Sequence, residues 1–330
     1  MRAFVIRRIL QAIPILIGVS VVAFVIIQLP PGDYLTVYVN NLRAQGEIIG
    51  DEAVEALRQE YALDKPMYLQ YVHWLTKFVR GDMGYSFYWN RPVLALIGER
   101  IALTMTISIF TLIVTYSIAV PVGIYSSIKQ YTWSDHVITL MAFIGVGFPS
   151  FLVALIVMYV GVKYFNMGAG GLFSAEYLDA PWSFARVVDM LKHMWLPVIV
   201  IGVSGTAGTI RVMRATTLDE LSKPYVEAAR ARGLSELKAV LKYPVRVALN
   251  PILSTIGWML PTIVSGETLV SLVLGIPTTG PLLYTALITQ DMFLAASFIM
   301  ILSTLTVIGT LISDILLAWM DPRIRFGGAE

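Results

Sequence analysis

The sequence predicts an all-α integral membrane protein with six transmembrane helices and a folded segment between the first two. The first reason is composition, because the chain is 57% hydrophobic and only 14% charged, whereas soluble domains carry about 25% charged residues. The second reason is spacing, because the charges leave long apolar runs between them. A bilayer helix needs about 20 such residues, since no water is present to bond its backbone.

Six runs reach or approach this length. They are Ile9–Gly32, Ile101–Ile128, Val137–Val162, His193–Ile210, Val247–Leu274 and Met292–Met320. The first run follows three arginines, as the apolar part of a signal peptide does. Its apolar stretch to Leu29 is too long for that, and Pro30-Pro31-Gly32 does not match a small-residue cleavage site. We therefore expect an uncleaved helix.

The loops between the runs alternate in basic charge, which predicts the orientation. One set of segments is rich in Lys and Arg: these residues are Arg2, Arg7, Arg8, Lys129, those from 211 to 246, Arg323 and Arg325. The short loops of the other set hold Lys163, Arg186 and Lys192. The pattern predicts that both termini are cytoplasmic. The domains expected are a first helix at 1–30, an extracytoplasmic helical segment at 31–100, and a five-helix core at 101–330 with a cytoplasmic loop at 211–249.

The long extracytoplasmic segment is predicted to be folded rather than a linker. Residues 51–61 have an apolar face at helical spacing, and a second apolar stripe runs from Tyr68 to Val79 after Pro66. The segment is expected to pack as a lid on the membrane domain. The same surface can also serve as a docking site for an extracytoplasmic partner.

Several function classes are excluded or not indicated by the sequence. The chain has no cysteine, which excludes disulfides, thiolate metal sites and cysteine nucleophiles. Its basic residues do not follow a nucleic-acid-binding motif. The three histidines, His73, His136 and His193, lack metal-ligand spacing and are expected to be packing or interfacial residues. The chain contains no G-x4-G-K-[ST] phosphate-binding loop.

The stretch "KPYVEAARARGLSELKAVLKYP", residues 223–244, is charged and rich in alanine. Pro224 can begin a helix and Gly233 can end it in a left-handed cap, and Ser235 can cap a second short helix. At helical spacing one face holds four residues: Tyr225, Ala228, Ala229 and Arg232. The alanines leave that face flat, so another protein can approach it. Glu227 can pair with Arg230. The alternative is a basic loop that lies on anionic lipid headgroups.

The string "EAARARG", Glu227 to Gly233, resembles the EAA-x3-G loop of ABC importer permeases, although the family's later Ile-x-Leu-Pro is only approximated here. Three further stretches are similar to the peptide/nickel subfamily of these permeases. They are "RRILQAIPILIGVSVVAFVIIQLPPGD" at 7–33, "ALDKPMYLQYVHWLTKFVRGDMGYSF" at 62–87 and "DPRIR" at 321–325. The resemblance covers almost the whole chain.

The resemblance implies the type I ABC importer permease fold and a set of partners. These are a homologous second permease, two ABC ATPase subunits that bind ATP and Mg, and an extracytoplasmic binding protein. The expected function is an oligopeptide permease without catalytic residues or a cofactor of its own; oligosaccharides or nickel are alternative substrates. The ATPase-coupling residues implied are Tyr225, Glu227, Ala228, Ala229, Arg230, Arg232, Gly233 and Leu234.

Two apolar segments contain candidate pore or gate residues. Glu267 lies beside Gly266 in the fifth run, and an ionisable group at membrane depth normally faces protein or water. It can be a gate residue or can bond to a neighbouring helix terminus. "GIPTTGP", with Pro277 and Gly280, breaks the same run and predicts a turn. A gate and a plain loop both fit this turn.

Two other classes of protein are possible. "GVSG", Gly202 to Gly205, resembles the G-x-S-G of rhomboid-like intramembrane serine proteases. A serine nucleophile needs a base, yet no histidine follows His193, and the glycines fit close helix packing instead. A passive channel is the other rival, but it has no need of an EAA-type helix pair.

Overall fold

The computed structural model describes residues 2–28, 35, 39, 50–60, 62–86, 88–165, 170–178, 180–252 and 268–320. In chain order the elements are α1 (Arg2–Gln28), α2 (Asp51–Glu60), α3 (Met67–Val79), β1 (Tyr85–Ser86), β2 (Arg91–Pro92), α4 (Val93–Ile128), α5 (Trp133–Gly147), α6 (Ser150–Phe165), α7 (Phe184–His193), α8 (Trp195–Leu221), α9 (Pro224–Ala231), α10 (Glu236–Lys242), α11 (Pro244–Ala248), α12 (Thr268–Val273), α13 (Thr279–Ile288) and α14 (Met292–Met320). The described part of the chain is therefore mostly helical, as expected.

Several predicted helices are confirmed. The two helices expected in the segment after the first run are α2 and α3, and the sixth run coincides with α14. Among the described residues, three helices are long and apolar enough to cross a membrane, within the bounds Val93–Ile128, Trp195–Leu221 and Phe293–Ile312. A fourth span is present if α5 and α6 are taken together. The count of six stays a prediction.

The third run was expected to form one continuous helix, and this expectation is wrong. It forms α5 and α6, which meet at an angle of 100°. Phe148 between them is extended, with φ −91° and ψ 129°, and Pro149 follows. A proline disfavours the helical conformation of the residue before it. The helix therefore ends at Gly147 and a new one begins after the proline.

The chain divides into two compact units, 1–102 with 278–307 and 103–277 with 308–330. The domain boundaries expected from the sequence stay a prediction.

An aromatic cluster forms the core of the first unit and fixes α3 to α1. The Phe24 ring of α1 lies 5.5 Å from the ring of Tyr71 and 5.9 Å from that of Trp74. The hydroxyl groups of Ser20 and Tyr71 are hydrogen-bonded at 2.7 Å. Within this unit α3 therefore packs on α1, and the lid expected over the membrane domain stays a prediction.

A buried carboxylate fastens the small hairpin of the first unit to the start of α14. Asp291 is fully buried and accepts a hydrogen bond from the Ser86 hydroxyl at 2.5 Å. It also accepts one from the Leu294 backbone N–H at 3.2 Å. Burial raises the pKa of Asp291 to about 6, while these hydrogen bonds oppose the rise.

Helix α8 is central to the second unit. It packs against α5, α6, α7, α11 and α12. Gly123 of α4 marks a close approach, because a Cβ atom there would lie 2.7 Å from the Cβ of Met213 in α8. Small residues such as glycine let membrane helices approach each other closely. This close approach lies eight residues before α8 ends at Leu221.

Candidate functional site

Residues 222–243, called the EAA segment from here on, form a helix, a glycine turn and a second helix. Helix α9 begins at Pro224, where the missing N–H costs nothing. Gly233 follows the end of α9 by two residues and has φ +82°, which is the left-handed conformation. The left-handed glycine predicted from the sequence is therefore confirmed. Its N–H donates to the Arg230 carbonyl at 2.9 Å. Helix α10 then follows Ser235, whose side chain makes no capping bond.

Helix α9 buries one face and exposes another. Val226 is 0% exposed and Ala229 is 4% exposed. The expectation that Ala229 lies on the exposed flat face is therefore wrong: it follows Val226 by three residues and shares its buried face. The exposed face consists of Tyr225, Ala228 and Arg232. This face is still flat at its centre, because Ala228 has only a methyl group.

The two helices of the EAA segment are tied together by an ion pair across the glycine turn. Arg230 donates to Glu236 from Nε at 2.9 Å and from Nη2 at 2.6 Å. The sequence predicted Glu227 as the partner instead, because the turn that brings Glu236 close is not visible in helical spacing. Hydrogen bonding to Arg230 lowers the pKa of Glu236. Exposed pairs of this kind contribute about 0–1 kcal/mol, so the pair sets geometry more than stability.

The start of α9 is also tied to the end of α8. The Tyr225 hydroxyl donates a hydrogen bond to the Glu220 carboxylate. Burial and this carboxylate together raise the pKa of Tyr225 to about 12, so the phenol keeps its proton at neutral pH. Glu227, Leu234 and Gly233 complete the turn without a buried side chain among them.

The EAA segment rests on a hydrophobic cluster of the second unit. Its buried members are Met213, Val240, Val245, Ala248 and Ile252. Thr216 of α8 also donates to the Ala248 carbonyl at 3.2 Å. Val240 of α10 and Val245 of α11 therefore pack in one cluster with Met213 of α8, a helix of membrane length.

The candidate pore and gate residues are only partly described. Gly266 and Glu267 lie outside the described residues. At "GIPTTGP" the predicted turn is present: α12 ends at Val273, and Gly275 has φ +64°. Gly280 lies in the first turn of α13 and is buried. A gate role for Pro277 and Gly280 stays a prediction.

The glycine pair at 170–171 packs on this turn. The Gly171 N–H donates to the Leu274 carbonyl at 2.7 Å. A Cβ at Gly170 would lie 2.4 Å from the same oxygen. No side chain fits there, so this contact requires glycine.

His193 and the "GVSG" glycines lie among the described residues, in packing contacts. In the described part of the chain no group of three or more His, Cys, Asp or Glu residues could hold a metal ion. His193 bonds through Nδ1 to the Asp189 carbonyl at 2.8 Å. Cβ atoms at Gly202 and Gly205 would lie 3.5 and 3.8 Å from Thr115. These glycines therefore serve the packing of α8 on α4.

One pair of charged residues is not indicated by any sequence pattern. Asp135 of α5 and Arg214 of α8 form a double ion-pair contact with both N···O distances at 2.7 Å. The only hint in the local sequence is Thr132, which precedes Asp135 by three residues and suits the N-cap position of a helix. The pairing itself joins residues far apart in the chain, which spacing cannot reveal.

Comparison with known families decides the class of protein. Residues 119–326 match the family described as the inner membrane component of binding-protein-dependent transport systems, and residues 1–109 match the N-terminal region of such a membrane component. The chain belongs to this permease family. The EAA segment lies within the longer match. The permease is accordingly a multi-pass membrane protein and one component of a transport complex.

Similar proteins cover the permease over its full length. An oligopeptide transport system permease protein, AppB of Bacillus subtilis, is 32% identical over 99% of this chain and 100% of its own. A dipeptide transport system permease protein, DppB of Alkalihalophilus pseudofirmus, is 27% identical over 99% and 100%. A peptidoglycan transport system permease protein, YejB of Agrobacterium fabrum, is 26% identical over 99% of both chains.

Proposed function

We propose that this permease forms half of the translocation pathway of an ATP-driven ABC importer for oligopeptides. The full-length similarity to permeases named for oligopeptide and dipeptide transport supports the substrate class. The observation that carries the coupling role is the exposed, flat face of α9, which is fixed to a membrane-length helix. The names of these relatives do not favour oligosaccharides or nickel.

The proposed complex contains the permease, a homologous second permease, two ABC ATPase subunits and an extracytoplasmic binding protein, within membrane lipid. ATP and Mg bind to the ATPase subunits, since this chain has no Walker-type phosphate loop. In this arrangement the chain itself has no catalytic residue. Its contribution is a path through the membrane and a surface on which the ATPases act.

The proposed location is the inner cell membrane, with six spans and both termini in the cytoplasm. The helices of membrane length support several of these spans, and the basic loops support the orientation. Residues 31–100 are then extracytoplasmic, and the EAA segment faces the cytoplasm. Gly266, Glu267, Pro277 and Gly280 remain candidates for the path or its gate.

The mechanism follows as alternating access. Binding of ATP closes the ATPase pair, the face of Tyr225, Ala228 and Arg232 moves with it, and α8 follows through the Tyr225–Glu220 contact. ATP biases the transporter because it binds the two states with different affinity. A passive channel would lack this dependence.

Transport by the reconstituted complex tests this proposal. Proteoliposomes containing both permeases and the ATPases, with the binding protein outside, are expected to accumulate a labelled oligopeptide only when ATP is enclosed. A labelled oligosaccharide and radioactive nickel serve as matched substrates. Accumulation of peptide without ATP would indicate a channel, and accumulation of only the sugar or the metal would overturn the substrate class.

A further inference from the structure

A single buried carboxylate joins three helices of the second unit. Asp135 in the first turn of α5 is 1% exposed. Arg214 of α8 donates to Oδ1 from Nε and to Oδ2 from Nη2, both at 2.7 Å. The Ser126 hydroxyl, near the end of α4, donates to Oδ1. The Tyr131 N–H donates to Oδ2 at 3.0 Å. We call this set the Asp135 clamp.

The turn between α4 and α5 is built around this carboxylate. Tyr131 has φ +62°, a left-handed conformation that few non-glycine residues adopt. In this conformation its N–H is directed at Asp135. The Thr132 hydroxyl accepts a long hydrogen bond from the Asp135 N–H at 3.5 Å and so begins the helix. The negative charge also lies at a helix N-terminus, where the macrodipole favours it.

Stability is a weak reason for such a pair. Replacing a buried ion pair by apolar residues is often neutral, while removal of one partner costs about 3–5 kcal/mol. The clamp instead fixes geometry, because a bidentate contact between arginine and carboxylate holds both the distance and the angle between the two side chains. The C-terminal end of α4 and the N-terminal end of α5 are therefore both held at Arg214 of α8.

The position of the clamp connects it to the EAA segment. Arg214 precedes the end of α8 at Leu221 by roughly 10 Å along the helix axis, at 1.5 Å per residue. The EAA segment begins directly after this end. In the other direction, α5 leads to the 100° bend before α6. A displacement of α8 at Arg214 would therefore move Asp135 and, with it, the bent pair α5 and α6.

We propose that Asp135 is a positioning residue for transport: the Asp135 clamp carries movement of the EAA segment from α8 to α4 and to the bent α5–α6 pair. This inference rests on the proposed coupling role of the EAA segment. It assigns Asp135 no contact with substrate, ATP or a partner subunit. The coupling between ATP hydrolysis and substrate delivery is what depends on it.

The variant Asp135→Asn tests the clamp in the assembled transporter. Asparagine keeps the size of the side chain but cannot pair with both nitrogens of Arg214 as an anion. The ratio of ATP hydrolysis with loaded binding protein to basal hydrolysis is expected to fall about tenfold, within the usual range of coupling free energies. Because the neutral amide leaves the partly buried Arg214 without its counter-ion, the yield of assembled complex is expected to fall. Basal hydrolysis per assembled complex is expected to stay near the unaltered level.

Two further variants separate charge from geometry. Arg214→Lys keeps the positive charge but loses the planar, bidentate fork, so the ratio is expected to fall by a smaller factor. Asp219→Asn is the matched control, because Asp219 is an exposed acid on the same helix, closer to the EAA segment. This control is expected to leave the ratio unchanged. In the double variant of Asp135 and Arg214 the losses are expected not to add, as for residues in contact.

The outcomes are distinct. An unchanged ratio in Asp135→Asn would overturn the inference, as would additive losses in the double variant. A fall in assembled complex with an unchanged ratio would assign the clamp to folding alone and would also overturn it. Failure of the coupling role itself would show differently, as ATPase binding that survives disruption of the glycine turn at Gly233.

Discussion

Gly233→Val is expected to lower recovery of the ATPase subunits with the purified permease about tenfold. Gly233 has φ +82°, and L-residues pay roughly 1–2 kcal/mol in this region, with β-branched residues among the least tolerant. A Cβ atom at this position would meet no atom within 4 Å, so the effect comes from the backbone and not from a clash. The turn would open and α9 and α10 would lose their mutual angle. Affinity pull-down from detergent-solubilised membranes measures the result.

Gly233→Asn is the matched control for this experiment. Asparagine adopts the left-handed region far more readily than valine, so most of the ATPase is expected to be recovered. Full recovery with valine would show that the turn does not shape the docking surface. Equal loss with both residues would show that the side chain, rather than the backbone conformation, interferes.

Gly170→Ala is expected to lower the thermal stability of the permease markedly. The added Cβ would lie 2.4 Å from the carbonyl oxygen of Leu274, which is backbone and cannot move like a side chain. That oxygen already accepts the Gly171 N–H at 2.7 Å. The clash adds to a strain of about 1–3 kcal/mol for a non-glycine residue at φ +96°. The midpoint of thermal unfolding in detergent measures the loss.

Gly171→Ala provides the comparison, because the two glycines have nearly the same backbone strain. Gly171 has φ +89°, but the nearest atom to its added Cβ is 3.8 Å away. Its midpoint is expected to fall less than that of Gly170→Ala. Equal midpoints in the two variants would contradict the contact between Gly170 and Leu274.

The local features of the EAA segment could be predicted because they depend on single residues. Pro224 begins α9 and Gly233 adopts a positive φ, each for a reason contained in its own side chain. The burial of Ala229 could not be predicted in the same way. Helical spacing groups residues into faces, but only the packing of α9 on its neighbours decides which face is buried.

The long apolar runs predicted membrane helices well but not their breaks. Hydropathy treats residues 137–162 as one span, whereas Pro149 forces Phe148 out of the helix and produces the bend. Contacts between residues far apart in the chain were the hardest features to predict from the sequence. Asp135 and Arg214 meet only because α5 packs on α8, and Ser86 meets Asp291 only within the folded first unit.

Cross-linking from Ala228→Cys tests most directly whether the exposed face of α9 contacts an ATPase subunit. The chain has no cysteine, so a thiol-linked benzophenone would label this position alone. Leu178→Cys, at a residue that is 56% exposed in another loop, is the control. We expect illumination of the assembled complex to join the ATPase to position 228 and not to position 178. A complex that hydrolyses ATP yet forms no such product at position 228 would contradict this contact.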